Sequence, residues 1–425
     1  MDKNLNTVTF LSVGAGPASL MAAVTAAKAG VPSLILEKGP EAGRKLCLSG
    51  GGRGNFCNTG CWSNLEALSR PVDKKRLRTA EELLPPEKLR HLFAAEGLPS
   101  VVEDEGRVFP KSQNASDIRD LLLNTYLKAG GRILYEHPVK RVESEGKDFR
   151  VICRNNACFK ARFLLLAPGA ASYPQCGSSG DALEFFDALG LKHRPFRPAL
   201  SPLRLKNPFP PELEGLSLQD AALRYKMKKE RGKGTVLKEK RGPVMWQRRG
   251  LSGPLILNAS ADLYDARIQD IALSFLPEEN EESLKKLFNE RRLHDGKKQI
   301  RRELRDLLPN RLADYLLQHL LSARNLPETL NFAALSKTLE EDLIHLLLSS
   351  PLIPDSPPPL AGAMACRGGL DPDETDWRSM GIKKYPGLYA AGECMDIDFI
   401  SGGYHLCFAF QSGYLAARDI IRRLQ

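Results

Sequence analysis

The chain has 425 residues, 42% of them hydrophobic, which is enough for two or three domains with cores of their own. No apolar run approaches the roughly 18 residues of a membrane-spanning helix, so a membrane partner is not expected. The net charge of +10 is concentrated between Arg224 and Arg249, which holds eleven Lys and Arg against two Glu.

The opening residues, Met-Asp-Lys-Asn-Leu-Asn, lack a basic stretch followed by a long apolar one, and a cytoplasmic protein is expected. Val8 to Val13 reads as a buried strand that opens into Gly14-Ala15-Gly16-Pro17-Ala18-Ser19 and an alanine-rich helix ending at Gly30. A second strand, Ser33 to Leu36, ends at Glu37, twenty-three residues after Gly14, with Lys38 beside it. This is the strand, glycine turn and helix of a dinucleotide-binding crossover. Gly14 makes the turn, Gly16 admits a pyrophosphate against the helix amides, and the Glu37 carboxylate takes ribose hydroxyls. Ser19 stands at the third glycine position and is small enough for close helix packing.

A second glycine cluster follows, Gly43-Arg44-Lys45 and Ser49-Gly50-Gly51-Gly52-Arg53-Gly54-Asn55. Helical sequence spans roughly 74 to 96, short strands lie near 100–102 and 107–109 around a peripheral turn at Gly106, and a helix from about Ser116 stops at Gly130-Gly131. Strand 132–135 precedes a small antiparallel meander, Val139 to Val142, Phe149 to Cys153 and Cys158 to Arg162, with Val139 assigned to the cofactor side. Phe163 to Ala167 reads as a separate parallel strand ending at Pro168-Gly169-Ala170. From about His193 the texture changes to proline-rich short runs, then to charged helices from about Asn280 to Leu348. A proline-rich linker, Pro351 to Pro359, ends that block. The expected organisation is a discontinuous α/β Rossmann domain, 1–193 and 355–425. It is interrupted by an insert, 194–354, β-rich over 194–279 and helical over 280–354.

After the insert, Gly387-Leu388-Tyr389-Ala390-Ala391-Gly392-Glu393 reads as a strand stopping at a glycine and an acid, followed by Asp396. Ser401-Gly402-Gly403-Tyr404 then opens a long helix ending near Arg423. The segments Gly14 to Asn58, Ala167 to Asp181 and Gly387 to Gly413 together favour FAD, held non-covalently. The amides of a helix opened by glycines can stabilise negative charge on a reduced flavin. The expected cofactor-binding set is Gly14, Gly16, Pro17, Ala18, Glu37, Lys38, Arg44, Lys45, Ser49, Gly51, Gly52, Asn55, Val139, Ala167, Gly169, Gly392, Glu393, Asp396, Gly402, Gly403 and Tyr404. Arg44 and Lys45 would lie near phosphates or adenosine, and Glu393 and Asp396 near the ribityl chain. Tyr404, His405 and Arg53 are the candidates for proton transfer. No metal site is expected, and no second complete glycine fingerprint follows a strand. NADH or NADPH would then act as a transient reductant at the flavin, or the substrate would reduce it directly.

Four ordered motifs resemble the aminoacetone-oxidase-like FAD-binding flavoproteins, which are NAD(P)/FAD-dependent oxidoreductases. They are Gly43-Arg44-Lys45-Leu46 with Ser49 to Asn55, Tyr173-Pro174 with Gly177 to Asp181, Gly250-Leu251-Ser252-Gly253-Pro254, and Gly387-Leu388-Tyr389 through Gly402-Gly403-Tyr404. The resemblance implies a glutathione-reductase-like FAD domain with a β-barrel-like and helical insert. The chain departs from that family's usual pattern at Gly54, Cys57, His405 and Arg367-Gly368-Gly369-Leu370. The leading expectation is an FAD-dependent oxidoreductase on a small or medium organic substrate, by C=C reduction or amine or alcohol oxidation. The alternatives are an RNA-modifying flavoenzyme using the basic segment 224–249, and a non-catalytic redox sensor in which Cys57 and Cys61, four apart beside the glycine loop, switch. The chain has nine cysteines and no C-x-x-C pair, and the other reading of Cys57 and Cys61 is as small thiols filling tight packing sites.

Overall fold

The computed structural model describes residues 5–60, 74–229, 234–265 and 267–425. The chain forms two compact units, one from residues up to Ala199 together with Pro359–Gln425, the other from Leu200–Pro358. The insert expected at 194–354 thus begins and ends a few residues later. The reason lies in strand His193–Ala199, which pairs antiparallel with Ala365–Leu370 and belongs to the first unit.

The first unit is built on strand β1, Leu5–Val13, helix α1, Pro17–Lys28, and strand β2, Ser33–Leu36. β1 lies parallel to β2 on one side and to Cys158–Leu166 on the other, Val13 facing Leu36 and Leu166. Outward from these run Arg132–Leu134 beyond β2 and, beyond Cys158–Leu166, Leu388–Ala390, Gly381–Ile382 and Thr375–Asp376. These central strands read as continuous apolar runs because both faces are covered. Phe10, Leu11, Leu164, Leu165 and Leu388 have no accessible surface. Cys158–Leu166 is a single strand where two were expected, since its first half pairs antiparallel with Asp148–Cys153 while its whole length runs beside β1. The 74–96 region divides into helices Lys74–Leu83 and Pro86–Ala95, because Pro86 has no amide to continue the first helix and suits the first turn of the second. Strand β3, Cys57–Asn58, pairs with Arg107–Pro110, which pairs with Ser100–Val102 in a small separate sheet.

The second unit has a six-stranded antiparallel sheet, dominated by the hairpin Ser217–Lys228 and Thr235–Gln247. Its two ends meet. Leu205 bridges Pro354, the Lys206 amide donates to Ile353 O at 3.0 Å and the Asp355 amide to Arg204 O at 2.8 Å, which closes the sheet into a barrel. The proline-rich stretch after 350 is therefore strand rather than linker at Ser350–Leu352, paired with Ile268–Ser274. Helix Pro254–Leu263 lies against the inward face of the hairpin, where Asp262 accepts from Tyr225 Oη at 2.6 Å and Lys238 Nζ at 2.9 Å. Helices Glu281–His294, Ile300–Leu307, Asn310–Ser322 and Lys337–Leu348 complete the unit around a leucine-rich core. Among the described residues no helix is long and apolar enough to cross a membrane.

Candidate active site

The turn after β1 is fixed by its neighbours. Gly14 has φ +89° and donates its amide to Leu36 O at 2.8 Å, and a Cβ there would lie 2.6 Å from Ala167 O. Only glycine allows β1, β2 and the 166–168 turn to close this tightly. Gly16 caps α1 with no side-chain acceptor, α1 has no acid in its first turn, and among the described residues no other atom comes within 4 Å of where a Cβ on Gly16 would stand. Pro17 at the first helical position needs no acceptor, so Ala18 and its neighbours present an electropositive helix end without protein competition. Ser19 turns inward, its hydroxyl 2.7 Å from that of Ser12, which explains why serine serves at the third glycine position.

Glu37 holds the same turn from the other side. One carboxylate oxygen accepts from the Ala15 amide at 2.7 Å and the other from the Gly39 amide at 2.7 Å. Arg44 stands across Gly39 from it, and a Cβ on Gly39 would meet Glu37 Oε1 at 3.2 Å and Arg44 Nη1 at 3.7 Å. Val139 is buried at the start of its strand, opposite Cys153.

Lysines 38 and 45 join the three sequence segments. Lys38 pairs with Asp181 at 2.7 Å and with Ser179, and Lys45 bonds Ser172 and pairs with Glu393. The charge of Lys45, expected near phosphates or adenosine, is thus met by Glu393 from the third segment. It also lies 5.6 Å from the ring centroid of Tyr173, a non-glycine residue held at φ +57°. Such strain collects at binding sites. Glu393 accepts in addition from the Cys366 amide at 3.1 Å. Burial and the Glu393 charge push the Cys366 thiol up to about 11. Gly169 is at φ +80° beside Ser178, and Gly392, at φ +75°, donates to Ser412 Oγ at 3.0 Å and lies against Ala18. Asp396 is buried, accepts from the Gly368 amide at 2.8 Å and lies 3.8 Å from Arg194, so its carboxylate fastens the strand at 365–370.

The third segment ends in helix Tyr404–Leu424, whose N-cap Gly403 has φ +97° and offers no side-chain cap, with no acid in the first turn. Asn58 Nδ2 donates to Gly402 O at 3.0 Å, and the Asn55 side chain donates to the carbonyls of Cys57 and Val108 while accepting from the Gly403 amide at 3.2 Å. The glycine loop and the helix start are therefore one structure, and the Gly403 amide, expected to face a flavin, is engaged by Asn55. At the helix's other contact, Gly413 packs directly against the backbone of Ala18 in α1. In the loop, Gly51 and Gly52 are at φ +68° and +88° with open space where a Cβ would stand, and among the described residues the buried hydroxyl oxygen of Ser49 has no partner.

The proton-transfer candidates separate. Tyr404 is buried and its hydroxyl lies at Gly60, where a Cβ would be 2.9 Å away. His405 Nε2 accepts from the Phe399 amide at 3.4 Å and stands 3.8 Å from Asp398 Oδ1. Nδ1 then carries the proton of the neutral ring. Burial pushes the imidazole down to about 4, with Glu393 raising it and Lys45 lowering it by smaller amounts, so it is uncharged at neutral pH. Arg53 is instead fastened to the small sheet, bonded to Glu103 and to Gln113 Oε1 at 2.7 Å with its guanidinium 4.1 Å from the ring centroid of Phe109. Sequence reasoning missed Ser172, Cys366, Asn58 and Asp398. The left-handed Tyr173 and the acid-rich run after Gly392 are the local features beside them.

These groups fit FAD. Two helix starts lack side-chain caps, Glu37 is a carboxylate at the adenosine end, Ser49 Oγ is an orphaned buried donor, and Gly16, Gly51 and Gly52 leave room that side chains would fill. Among the described residues no three His, Cys, Asp or Glu are grouped to hold a metal ion. The fold and the site together define a Rossmann-type FAD-binding α/β enzyme, an FAD-dependent oxidoreductase.

The chain belongs to the HI0933-like protein Rossmann domain family, whose pattern matches residues 8–419. It is 27% identical over 409 residues, 96% of this chain and 97% of the other, to the ribosomal RNA dihydrouridine synthase of Escherichia coli. It is 26% identical over 422 residues, 97% of this chain and 98% of the other, to the 3-dehydro-bile acid delta(4,6)-reductase of Clostridium scindens. In fold it is similar to 3-ketosteroid delta1-dehydrogenase from Sterolibacterium denitrificans, with a TM-score of 0.54, 13% identity, and coverage of 98% of this chain and 100% of that one. The resemblance read from the motifs is met at the level of this family and not specifically as an aminoacetone oxidase. Since the family is one of enzymes, the non-catalytic alternative is set aside.

Proposed function

We propose that this enzyme reduces a carbon–carbon double bond conjugated to a carbonyl, and that the bond is the C5=C6 bond of uracil in an RNA strand. The observation that carries the reading is the union of the loop at 49–55 with the start of helix Tyr404–Leu424 through Asn55 and Asn58. That union puts an uncapped helix end beside an open glycine loop, where developing negative charge is stabilised. FAD, once bound and reduced by NADH or NADPH, would supply hydride to the β carbon of such a bond. A proton must then reach the α carbon. Tyr404 and His405 are the groups of this chain that can deliver it, His405 as a neutral donor through Nδ1.

Both named relatives support the reaction class, one being named a ribosomal RNA dihydrouridine synthase and the other a 3-dehydro-bile acid delta(4,6)-reductase. Exposed Lys228, Lys229, Arg248 and Arg249 on the barrel unit suit a phosphate backbone. A second reading, a small enone substrate, is favoured by the ion pairs Arg224–Glu239, Lys226–Asp270, Lys238–Asp262 and Arg241–Glu278, which offset much of the basic segment. Amine or alcohol oxidation has less support from the named relatives. NADH or NADPH remains the proposed reductant.

The test is anaerobic incubation of the FAD-loaded enzyme with NADPH or NADH and either ribosomal RNA transcript or a panel of small enones. RNA digests are then read by mass for uridine carrying two added hydrogens. The RNA reading requires that product, with a rate that falls as salt rises. Reduction of enones with intact uridine would overturn the RNA assignment, and oxidation of amines with neither would overturn the reaction class.

A further inference from the structure

In the redox-sensor alternative read from the sequence, Cys57 switches with Cys61, which lies outside the described residues. The structure gives it a different neighbour. Cys57 Sγ stands 2.9 Å from Cys407 Sγ, across 350 residues of chain. Both side chains have no accessible surface. We propose that Cys57 and Cys407 are a redox dithiol, a modification site that closes to a disulfide when a peroxide reaches it.

The two backbones are held before any bond forms. Cys57 is the first residue of β3 and pairs with Val108, and Cys407 lies in the first turn of the closing helix, its amide bonded to Gly403 O at 3.0 Å. Asn55 ties the Cys57 carbonyl to the Gly403 amide, and Asn58 ties the next residue to Gly402. A Cβ on Gly403 would already meet the Cys57 carbonyl carbon at 2.8 Å, so the chain segments carrying the two sulfurs are in direct contact. The sulfurs need to approach by only about an ångström to reach the bonding distance of roughly 2.0 Å. Other buried thiols have different partners. Cys394 donates to the carbonyls of Leu166 and Ala391, and Cys366 faces Ser172 and Glu393. The Cys57–Cys407 contact thus joins the residues just after the glycine loop to the start of the helix that the loop supports.

The chemistry balances with a peroxide as oxidant. One sulfur, as thiolate, attacks a peroxide oxygen, the O–O bond breaks, and a sulfenic acid and one water or alcohol form. The second sulfur attacks the sulfenic sulfur, its S–H proton leaves with the displaced hydroxide as water, and the S–S bond forms. Two thiols are oxidised and one peroxide is reduced. Burial and the adjacent Cys57 push the Cys407 thiol well above its ordinary value, which makes the closure slow at neutral pH and faster as pH rises.

The experiment uses the whole protein, with and without FAD, incubated with hydrogen peroxide at graded pH. The samples are denatured, alkylated and mapped by mass after proteolysis. The expected result is two fewer alkylated thiols than the nine of the reduced chain. The map should contain one linked pair joining the Cys57 and Cys407 peptides, lighter by two hydrogens and released by dithiothreitol. Cys57→Ser and Cys407→Ser, each checked for a normal unfolding transition, should lose the pair. If either fails to fold, the parent's map decides alone. Full alkylation of Cys57 and Cys407 after oxidation, or a link from Cys57 to Cys61, would overturn the proposal.

Discussion

Replacing Gly403 with alanine tests the coupling between the glycine loop and the closing helix. Two costs arise at this position. The residue sits at φ +97°, a conformation that costs an L residue about 1–2 kcal/mol. In addition, the new Cβ would meet the Cys57 carbonyl carbon at 2.8 Å where ordinary contact begins at 3.4 Å, with that carbonyl's oxygen closer still. Both groups are backbone, so either β3 or the helix start must move, and the Asn55 bridge between them opens. Gly146→Ala isolates the first cost, since Gly146 has φ +68° and nothing within 4 Å of its Cβ position. Gly106, which sequence reading placed in a peripheral turn, cannot serve as a neutral comparison. A Cβ there would lie 2.9 Å from Asn58 Oδ1 and 2.6 Å from Thr59 Oγ1, on the residue that holds Gly402. Denaturant titrations should show both alanine variants losing about 1–2 kcal/mol through φ strain, with a further loss for Gly403→Ala. FAD titration should show unchanged affinity for Gly146→Ala and at least a tenfold weaker one for Gly403→Ala, about 1.4 kcal/mol. Parental FAD affinity in Gly403→Ala would refute the assignment of this helix start to the cofactor.

The pH dependence of stability should carry the signature of His405. Its folded value of about 4 lies below the ordinary 6.5, so the unfolded chain binds one more proton between those values, and stability is lost as pH falls through that window. His405→Asn should flatten the unfolding midpoint between pH 6.5 and 4; an unchanged slope would place the titration elsewhere. Glu393→Gln keeps an acceptor for the Cys366 amide but removes the charge facing half-buried Lys45. It should cost about 1–3 kcal/mol, between exposed and buried pairs, and Lys45→Met combined with it should recover part of the loss. Glu37→Ala takes the acceptor from the Ala15 and Gly39 amides and the ribose partner from FAD. Unfolding should reveal a loss of about 1–3 kcal/mol without FAD and a larger one with it. Equal losses in the two states would argue against a ribose role.

Much of the first unit was legible because its constraints are local. A buried parallel strand must be apolar throughout, and the turn after it must contain a residue able to take φ near +89°, so Gly14 and its flanking runs announce themselves. The same holds for Gly16 and Pro17 at the start of α1. Pairings across long separations left no such trace. Nothing in Lys45 indicates that its charge is met 348 residues later by Glu393, and nothing in Cys57 indicates Cys407. Cys61, only four residues away, was the nearer partner in sequence. Arg53 shows a different limit. Surrounded by cofactor-loop glycines, it reads as chemistry, yet a loop with three consecutive left-handed glycines needs an anchor, and the Glu103–Gln113–Phe109 contacts supply it.

The basic segment marks the limit of charge counting most clearly. Eleven cationic side chains between 224 and 249 suggest a polyanion surface, but strand pairing decides where each charge goes. The register sets Arg224 opposite Glu239 and Tyr225 opposite Lys238. Lys238 therefore points to the face covered by helix Pro254–Leu263, where Asp262 receives it. Arg241 reaches Glu278 from outside the segment, and Lys226 reaches Asp270. Among the described residues, what remains for a phosphate backbone is a smaller set, Lys228, Lys229, Arg248 and Arg249. If RNA binds through these four, neutralising Arg248 and Arg249 should lower the slope of log affinity against log salt by about two. Neutralising Lys238 should leave that slope alone while loosening the barrel. A slope that responds to Lys238 and not to the two arginines would mean that the barrel presents its other face.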